Sequence, residues 1–300
     1  MAIKHWKILS AILSRIIFTV HGFLLVWQVV EVKKNTRYWM LLIGLLLLYM
    51  EAVVTLTITR KGEWKWFSPM IFLYLTSTIP SVFLLELEFL EMRTLMINST
   101  NAEYAKQVKC FVPSFQWLEA LEQVMILVLV IGRWLMPKGE MSREQLSQLL
   151  LIYIGLGADI LDILLLMKEP AVETNWRVVI VALCLFGWAT LQFTLVLTQM
   201  SSSTQESQTI EETMSPPDVK EGCASFSCGT NEINEIWSLW ITVGMQDGPF
   251  LIFRLYLAIK ERVLNGMMIF FICKNILTVT IEIYRIVVVR CKKGNLCKNR

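Results

Sequence analysis

The sequence predicts an all-α fold, a polytopic membrane helix bundle of about eight transmembrane helices, and three observations predict it. Hydrophobic residues make up 55% of the 300-residue chain and charged residues only 18%, far from the balance of a soluble domain of this length. Apolar runs of about 20 residues, the length that crosses a hydrocarbon core, recur from end to end. Tryptophans lie near many of their ends, at Trp27, Trp39, Trp66, Trp117, Trp134, Trp176 and Trp237, and indole prefers the headgroup level.

The runs cover residues 8–30, 38–58, 66–90, 116–136, 145–167, 176–198, 236–259 and 266–289. The first is too long for a signal-peptide core and lacks a small-x-small cleavage site, so it reads as a retained span. Glu119 and Glu122 lower the hydropathy of the fourth, and Asp159 and Asp162 that of the fifth. These runs organise the chain into a six-span region over 1–198, a polar loop over 199–235, a two-span region over 236–290 and a basic tail over 291–300. The loop is rich in Ser, Thr and Glu, contains Pro216 and Pro217, and cannot bury enough apolar surface to fold alone. Lys and Arg are more numerous in the connections on the side of the N-terminus, although Lys33 and Lys34 oppose the trend. Both termini are therefore expected in the cytoplasm. That threading places Asn98-Ser99-Thr100, the one N-glycosylation sequon, on the outer side and makes Asn98 a candidate glycan acceptor.

The arrangement centres on Gly244-Met245-Gln246-Asp247-Gly248-Pro249-Phe250. Pro249 removes a backbone donor, and a carboxylate at bilayer depth must be paired, protonated or hydrated. At 1.5 Å of rise per residue, Asp247 falls near the midplane, with Asp159, Lys274 and His21 within about 6 Å of the centre and Asp162 and Arg254 farther out. Arg15, Glu51, Glu282 and Arg285 fall in the inner half. Each of these groups costs about 2.5–3.5 kcal/mol if it faces lipid, so inward-facing pairs are expected. The expected pairs are Lys274 with Asp159 or Asp247, and Arg15 with Glu51 or Glu282. Asp159 and Asp162, three apart, share a helix face, as do Asp247 and Arg254, seven apart.

Composition and spacing exclude several chemistries. A net charge of +3, scattered along the chain, does not suit nucleic acid. Two histidines and seven dispersed cysteines supply neither a histidine-built zinc site nor a disulfide scaffold, and no cofactor is implied. Cys223 and Cys228 read as solvated thiols or, less simply, as part of a metal site. Cys291 beside Lys292 and Lys293 suits palmitoylation or plain basic anchoring at anionic lipid. Gly155-Leu156-Gly157-Ala158-Asp159 has one residue too many for the box of intramembrane aspartyl proteases. The serine-protease box is missing, and Glu91-Met92-Arg93-Thr94 does not match the rhodopsin-like receptor box.

Several strings resemble the transmembrane protein 26 family of multi-pass membrane proteins. They are Glu31 to Lys34 with Arg37 to Trp39; Lys65 to Leu75, followed by Pro80-Ser81 and Leu84 to Leu87; and Ile131 to Pro137. Further on come Gln145 to Leu151 with Ala158 to Leu161, Gln246 to Leu251 with Arg254-Leu255, and Lys274-Asn275 with Tyr284-Arg285. The resemblance implies an integral multi-pass protein at the cell surface and brings no reaction, substrate or catalytic residue. The outer loop and tail are shorter here than in longer members.

Two functions follow as expectations. The leading one is a non-enzymatic interaction or organising protein whose intramembrane cluster of Asp247, Asp159, Asp162, Lys274, Arg254, Glu51, Arg15 and Glu282 clamps helices together, its partners being the lipid bilayer and membrane or cytoplasmic proteins. The alternative is a transporter or channel coupled to a proton or small cation, in which those carboxylates line a path and the interrupted helix offers free carbonyls.

Overall fold

The computed structural model describes residues 2–57, 67–98, 102–135, 143–195, 240–241 and 243–298. The described residues are almost entirely helical and contain no β-strand, as the recurring apolar runs predict. Among the described residues, eight α-helices run in the order α1 (Ala2–Lys33), α2 (Ile43–Thr57), α3 (Pro69–Asn98), α4 (Ala102–Leu135), α5 (Arg143–Leu166), α6 (Trp176–Thr190), α7 (Gly248–Lys260) and α8 (Gly266–Lys298). The polar loop expected over 199–235, with Cys223 and Cys228, lies outside the described residues, as do Ser99 and Thr100 of the sequon. The chain divides into two compact units, Met1–Thr194 and Leu195–Arg300.

Among the described residues, six helical segments are long and apolar enough to cross a membrane: Leu9–Lys33, Thr36–Thr55, Pro69–Leu95, Leu146–Leu166, Trp176–Thr194 and Gly266–Val288. The other two of the eight expected spans correspond to α4 and α7. Among the described residues α7 spans only 13 residues. The basic stretch from Cys291 continues α8 as far as Lys298.

In the first unit α1 packs against α2, α3 and α4, while α3 also meets α2, α4 and α6, and α5 lies between α4 and α6. Chain direction follows from cross-helix contacts. Arg15 meets Glu51, so α1 and α2 are antiparallel through the turn that follows Lys33. His21 contacts Tyr74 and Lys33 contacts Glu88, so α1 and α3 run parallel. Lys34 takes a left-handed backbone (φ 49°) that ends α1. Asn35 then caps the 3₁₀ turn Thr36–Leu42, its side-chain oxygen accepting from the Arg37 amide at 3.0 Å.

Lipid tails are as apolar as leucine, so helices in a bilayer associate through close packing and polar contacts. Both appear here. Gly44 lets α2 approach α3 so closely that a Cβ would stand 2.7 Å from Thr76 Oγ1 and 3.0 Å from the Leu73 carbonyl oxygen, and would overlap Ser77 Oγ. The Ser77 hydroxyl crosses that contact to donate to the Leu41 carbonyl at 2.7 Å. Pro80, inside α3, cannot donate to the preceding turn. The neighbouring hydroxyls of Thr78 and Ser81 bond back to the Tyr74 and Ser77 carbonyls at 3.1 and 2.7 Å.

The distribution of polarity is inverted relative to a soluble protein. Ser14, Arg15, Glu86, Glu122 and Asp159 are buried, while Leu46, Leu127, Leu151 and Ile252 are exposed, as are Trp27, Trp117, Trp134 and Trp176. A surface of this kind is stable against lipid and not against water.

Candidate functional site

Among its described residues the first unit holds three polar clusters, each crossing helices. The first joins α1 to α2. Arg15 donates through Nη2 to Glu51 Oε2 at 2.9 Å and through Nη1 to the Ala11 carbonyl at 3.1 Å. Glu51 accepts at Oε1 from Thr55 at 2.5 Å. Of the two partners expected for Arg15, the structure selects Glu51.

The second lies deeper. His21 Nε2 is 2.9 Å from the Leu121 carbonyl oxygen, and Tyr74 Oη is 2.7 Å from His21 Nδ1. A carbonyl only accepts, so Nε2 carries the hydrogen in the neutral ring; Nδ1 is then the acceptor and the Tyr74 hydroxyl the donor. The Phe18 ring packs on Tyr74 with centroids 4.6 Å apart. The result locks α1, α3 and α4 together.

The third is the largest and lies where α1, α3 and α5 end. Residues 167–175 are tightly wound: Val172 and Glu173 amides donate to the Glu169 carbonyl and Asn175 to Val172, all at 2.8–2.9 Å. Met167 and Val172 are fully buried beneath this turn. It holds Lys168 so that Nζ reaches Glu122 Oε2 on α4 at 2.9 Å and Glu86 Oε1 on α3 at 3.8 Å. Arg93, two helical turns beyond Glu86, returns Nη2 to Glu86 Oε2 at 3.1 Å and holds Nη1 4.0 Å from Glu173 Oε2. Lys33, the last residue of α1, pairs with Glu88 on α3. Burial by itself would lower the Lys168 ammonium, but the Glu122 and Glu86 carboxylates outweigh it and raise it above the usual lysine value. Lys168 therefore stays cationic at every physiological pH.

Sequence reasoning missed this cluster. The sequence reading paired only the charges it placed nearest the midplane, and Glu86, Glu122, Arg93 and Lys168 were not among them. A usable signal was present, because Glu86 and Arg93 are opposite charges seven apart on one face of an apolar helix.

Of the expected residues in this unit, Asp159 and Asp162 are both buried on α5. Near them Gly157 lets α5 close on Ile126 of α4.

The second unit carries the remaining expected residues. Val243–Asp247 forms a π-helical turn that leads into α7, with Pro249 in the first turn, where a missing donor costs nothing. Wide turns of this kind often mark functional sites. A Cβ on Gly248 would stand 2.8 Å from the Val243 carbonyl oxygen, so glycine permits the tight junction. Asp247, Phe250, Arg254 and Leu257 are buried along one face of α7. The fully buried Arg254 guanidinium stacks over the rings of Phe271 at 4.8 Å and Phe250 at 5.6 Å. Lys274 lies over Phe271 at 5.6 Å. Glu282 is buried on α8 within electrostatic reach of Asp247 and Arg285. Asn98 is the last residue of α3, and Cys291 lies within α8.

The profile of one protein family, described as Transmembrane protein 26, matches residues 5–285. No solved structure matches the chain.

Proposed function

The chain belongs to the transmembrane protein 26 family, and from that premise we propose that it is a non-enzymatic organising protein of the plasma membrane. Its buried charges clamp a bundle that presents apolar flanks to lipid and to membrane or cytoplasmic protein partners. One observation carries the reading: buried charges of the first unit are joined across helices, Arg15 to Glu51 and Lys168 to both Glu86 and Glu122. Such a clamp holds helices in register and costs little when both partners are present, whereas a lone charge costs about 2.5–3.5 kcal/mol at the bilayer centre. In this reading both termini are cytoplasmic and Asn98 carries a glycan outside. Asn98→Gln then removes a glycosidase-sensitive mass shift, and a shift that persists in the variant contradicts the assignment. Cys291 is read as the site of a lipid anchor, which hydroxylamine-sensitive acyl labelling lost in Cys291→Ser checks.

The clamp is tested by a cycle on Arg15 and Glu51. Arg15→Met and Glu51→Met each lower the yield of monodisperse, folded protein by an amount worth on the order of 3 kcal/mol. The double variant recovers most of the loss, because no charge is then left alone. Equal loss in single and double variants contradicts a clamp.

A second reading, coupled transport of a proton or small cation, is favoured by the π-helical turn that ends at the buried Asp247, with the Glu282 carboxylate in reach. Asp247→Asn separates the two readings. Loss of proton or cation flux in reconstituted vesicles, with assembly intact, supports transport; unchanged flux with impaired assembly supports the clamp.

A further inference from the structure

The charge cluster at the end of the first unit has an arrangement that pairing alone does not explain. Glu86 and Glu122, on different helices, are both fully buried, and their carboxyl groups converge on one ammonium, Lys168 Nζ lying 2.9 Å from Glu122 Oε2 and 3.8 Å from Glu86 Oε1. The Lys168 ammonium stands between them, on Glu122 Oε2 and Glu86 Oε1, and Arg93 takes Glu86 Oε2. The remaining oxygen of Glu122, Oε1, and the Glu86 oxygen towards Lys168, also Oε1, have no hydrogen-bond donor from the protein. Two carboxylates cannot bond to each other, since each offers only acceptors. One proton between them turns the repulsive contact into a charge-assisted hydrogen bond, O–H to O⁻, the strongest class available to such groups.

Charge balance leads to the same place. Among the described residues, the charged groups that face the pair are Arg93 from α3, Lys168 and the partly exposed Glu173 from the turn after α5, and Glu119 at longer range from α4. Lys33 is engaged by Glu88, and His21 by Tyr74 and the Leu121 carbonyl. Among the described residues, two cations, Arg93 and Lys168, are thus shared by three carboxyl groups, Glu86, Glu122 and Glu173, in direct contact. With all three ionised the group is one negative charge in excess, buried against apolar helices; with one proton on the inner pair it is neutral.

We propose that Glu86 and Glu122 form a binding site for a single proton, shared between their facing carboxyl groups and fixed there by Lys168 and Arg93. The proton comes from water at the membrane surface and is released to it, so no other reactant is needed. Because the same contact joins α3, α4 and the turn after α5, occupancy of the site sets how firmly those three elements hold together. The proposal does not depend on the clamp or transport readings.

Infrared spectroscopy of the full chain in lipid nanodiscs tests the site. At neutral pH the expected spectrum contains the C=O stretch of a protonated carboxyl group, shifted in heavy water. Glu122→Gln and Glu86→Gln each abolish that band, while Asp247→Asn and Glu282→Gln leave it in place. Glu122→Asp, which retains an acid but withdraws it by one methylene, moves the band and decides the question if the glutamine variants do not fold. A wild-type spectrum without the band overturns the proposal, as does a band that survives unaltered in the Glu86 and Glu122 variants.

Discussion

Replacing Lys168 by Met is expected to be among the most damaging single changes outside the apolar core. The ammonium is the cation on Glu122 and a second cation for Glu86, both fully buried. Breaking a buried ion pair from one side costs about 3–5 kcal/mol. The lower end applies here, since the Lys168 side chain keeps 13% of its surface exposed and part of its charge is already solvated. In thermal unfolding followed by loss of monodispersity in detergent, Lys168→Met melts well below wild type, and Lys168→Met combined with Glu122→Gln recovers much of the difference. A single variant that melts like wild type contradicts the account. The pH dependence has a definite sign. A cation raised in the folded state contributes stability that is fully present below its unfolded value, near 10.4 for lysine, and is lost as pH rises through the folded value. The contribution of Lys168 is therefore flat between pH 7 and 9 and declines only in more alkaline solution.

The second large effect is steric. Gly44→Leu drives a branched side chain into the place where α2 meets the Leu73 carbonyl, Thr76 and Ser77 of α3. The backbone atom cannot rotate away, and separating the helices breaks the hydrogen bond from Ser77 to the Leu41 carbonyl. Even Gly44→Ala is expected to cost about 1–3 kcal/mol, the usual range for overpacking, and the leucine variant more. Fluorescence-detected size exclusion of expressed variants should show the folded peak falling from wild type through Ala to Leu. A leucine variant that elutes as wild type would remove the close α2–α3 contact from the account.

Much of the architecture was legible because a bilayer imposes a single requirement, about 20 apolar residues with internal hydrogen bonding, that hydropathy reads directly. The resemblance carried by strings such as Lys65 to Leu75 and Gln246 to Leu251 matches the family to which the chain belongs. Span number was less legible. Glu119 and Glu122 lower the hydropathy of the run that becomes α4, and only the fold shows that Glu122 is met there by a lysine supplied 46 residues later. The same limit applied to partners. Arg15 had two candidate acids at matching depth, and only the turn after Lys33, which brings α2 back antiparallel beside α1, selects Glu51. The His21 to Tyr74 bond was invisible because Tyr74 looks like one more aromatic residue in an apolar run; its partner is set by the parallel packing of α1 and α3. The π-helical turn before Gly248 had a visible cause in the Gly-Pro pair, although sequence alone did not distinguish a wide turn from a kink.

The central claim is that the polar interior of the first unit is dry and paired. Cysteine accessibility tests it most directly: Ser14→Cys and Ser81→Cys, near-isosteric changes at fully buried hydroxyls, and Asp159→Cys at the buried carboxylate, each in a folded background from which the native cysteines have been removed. The account predicts that a small membrane-impermeant thiol reagent labels none of the three from either side of the membrane. Labelling of Ser14→Cys or Ser81→Cys from either side would mean that water reaches the interior, and would contradict a bundle held by dry, paired charges.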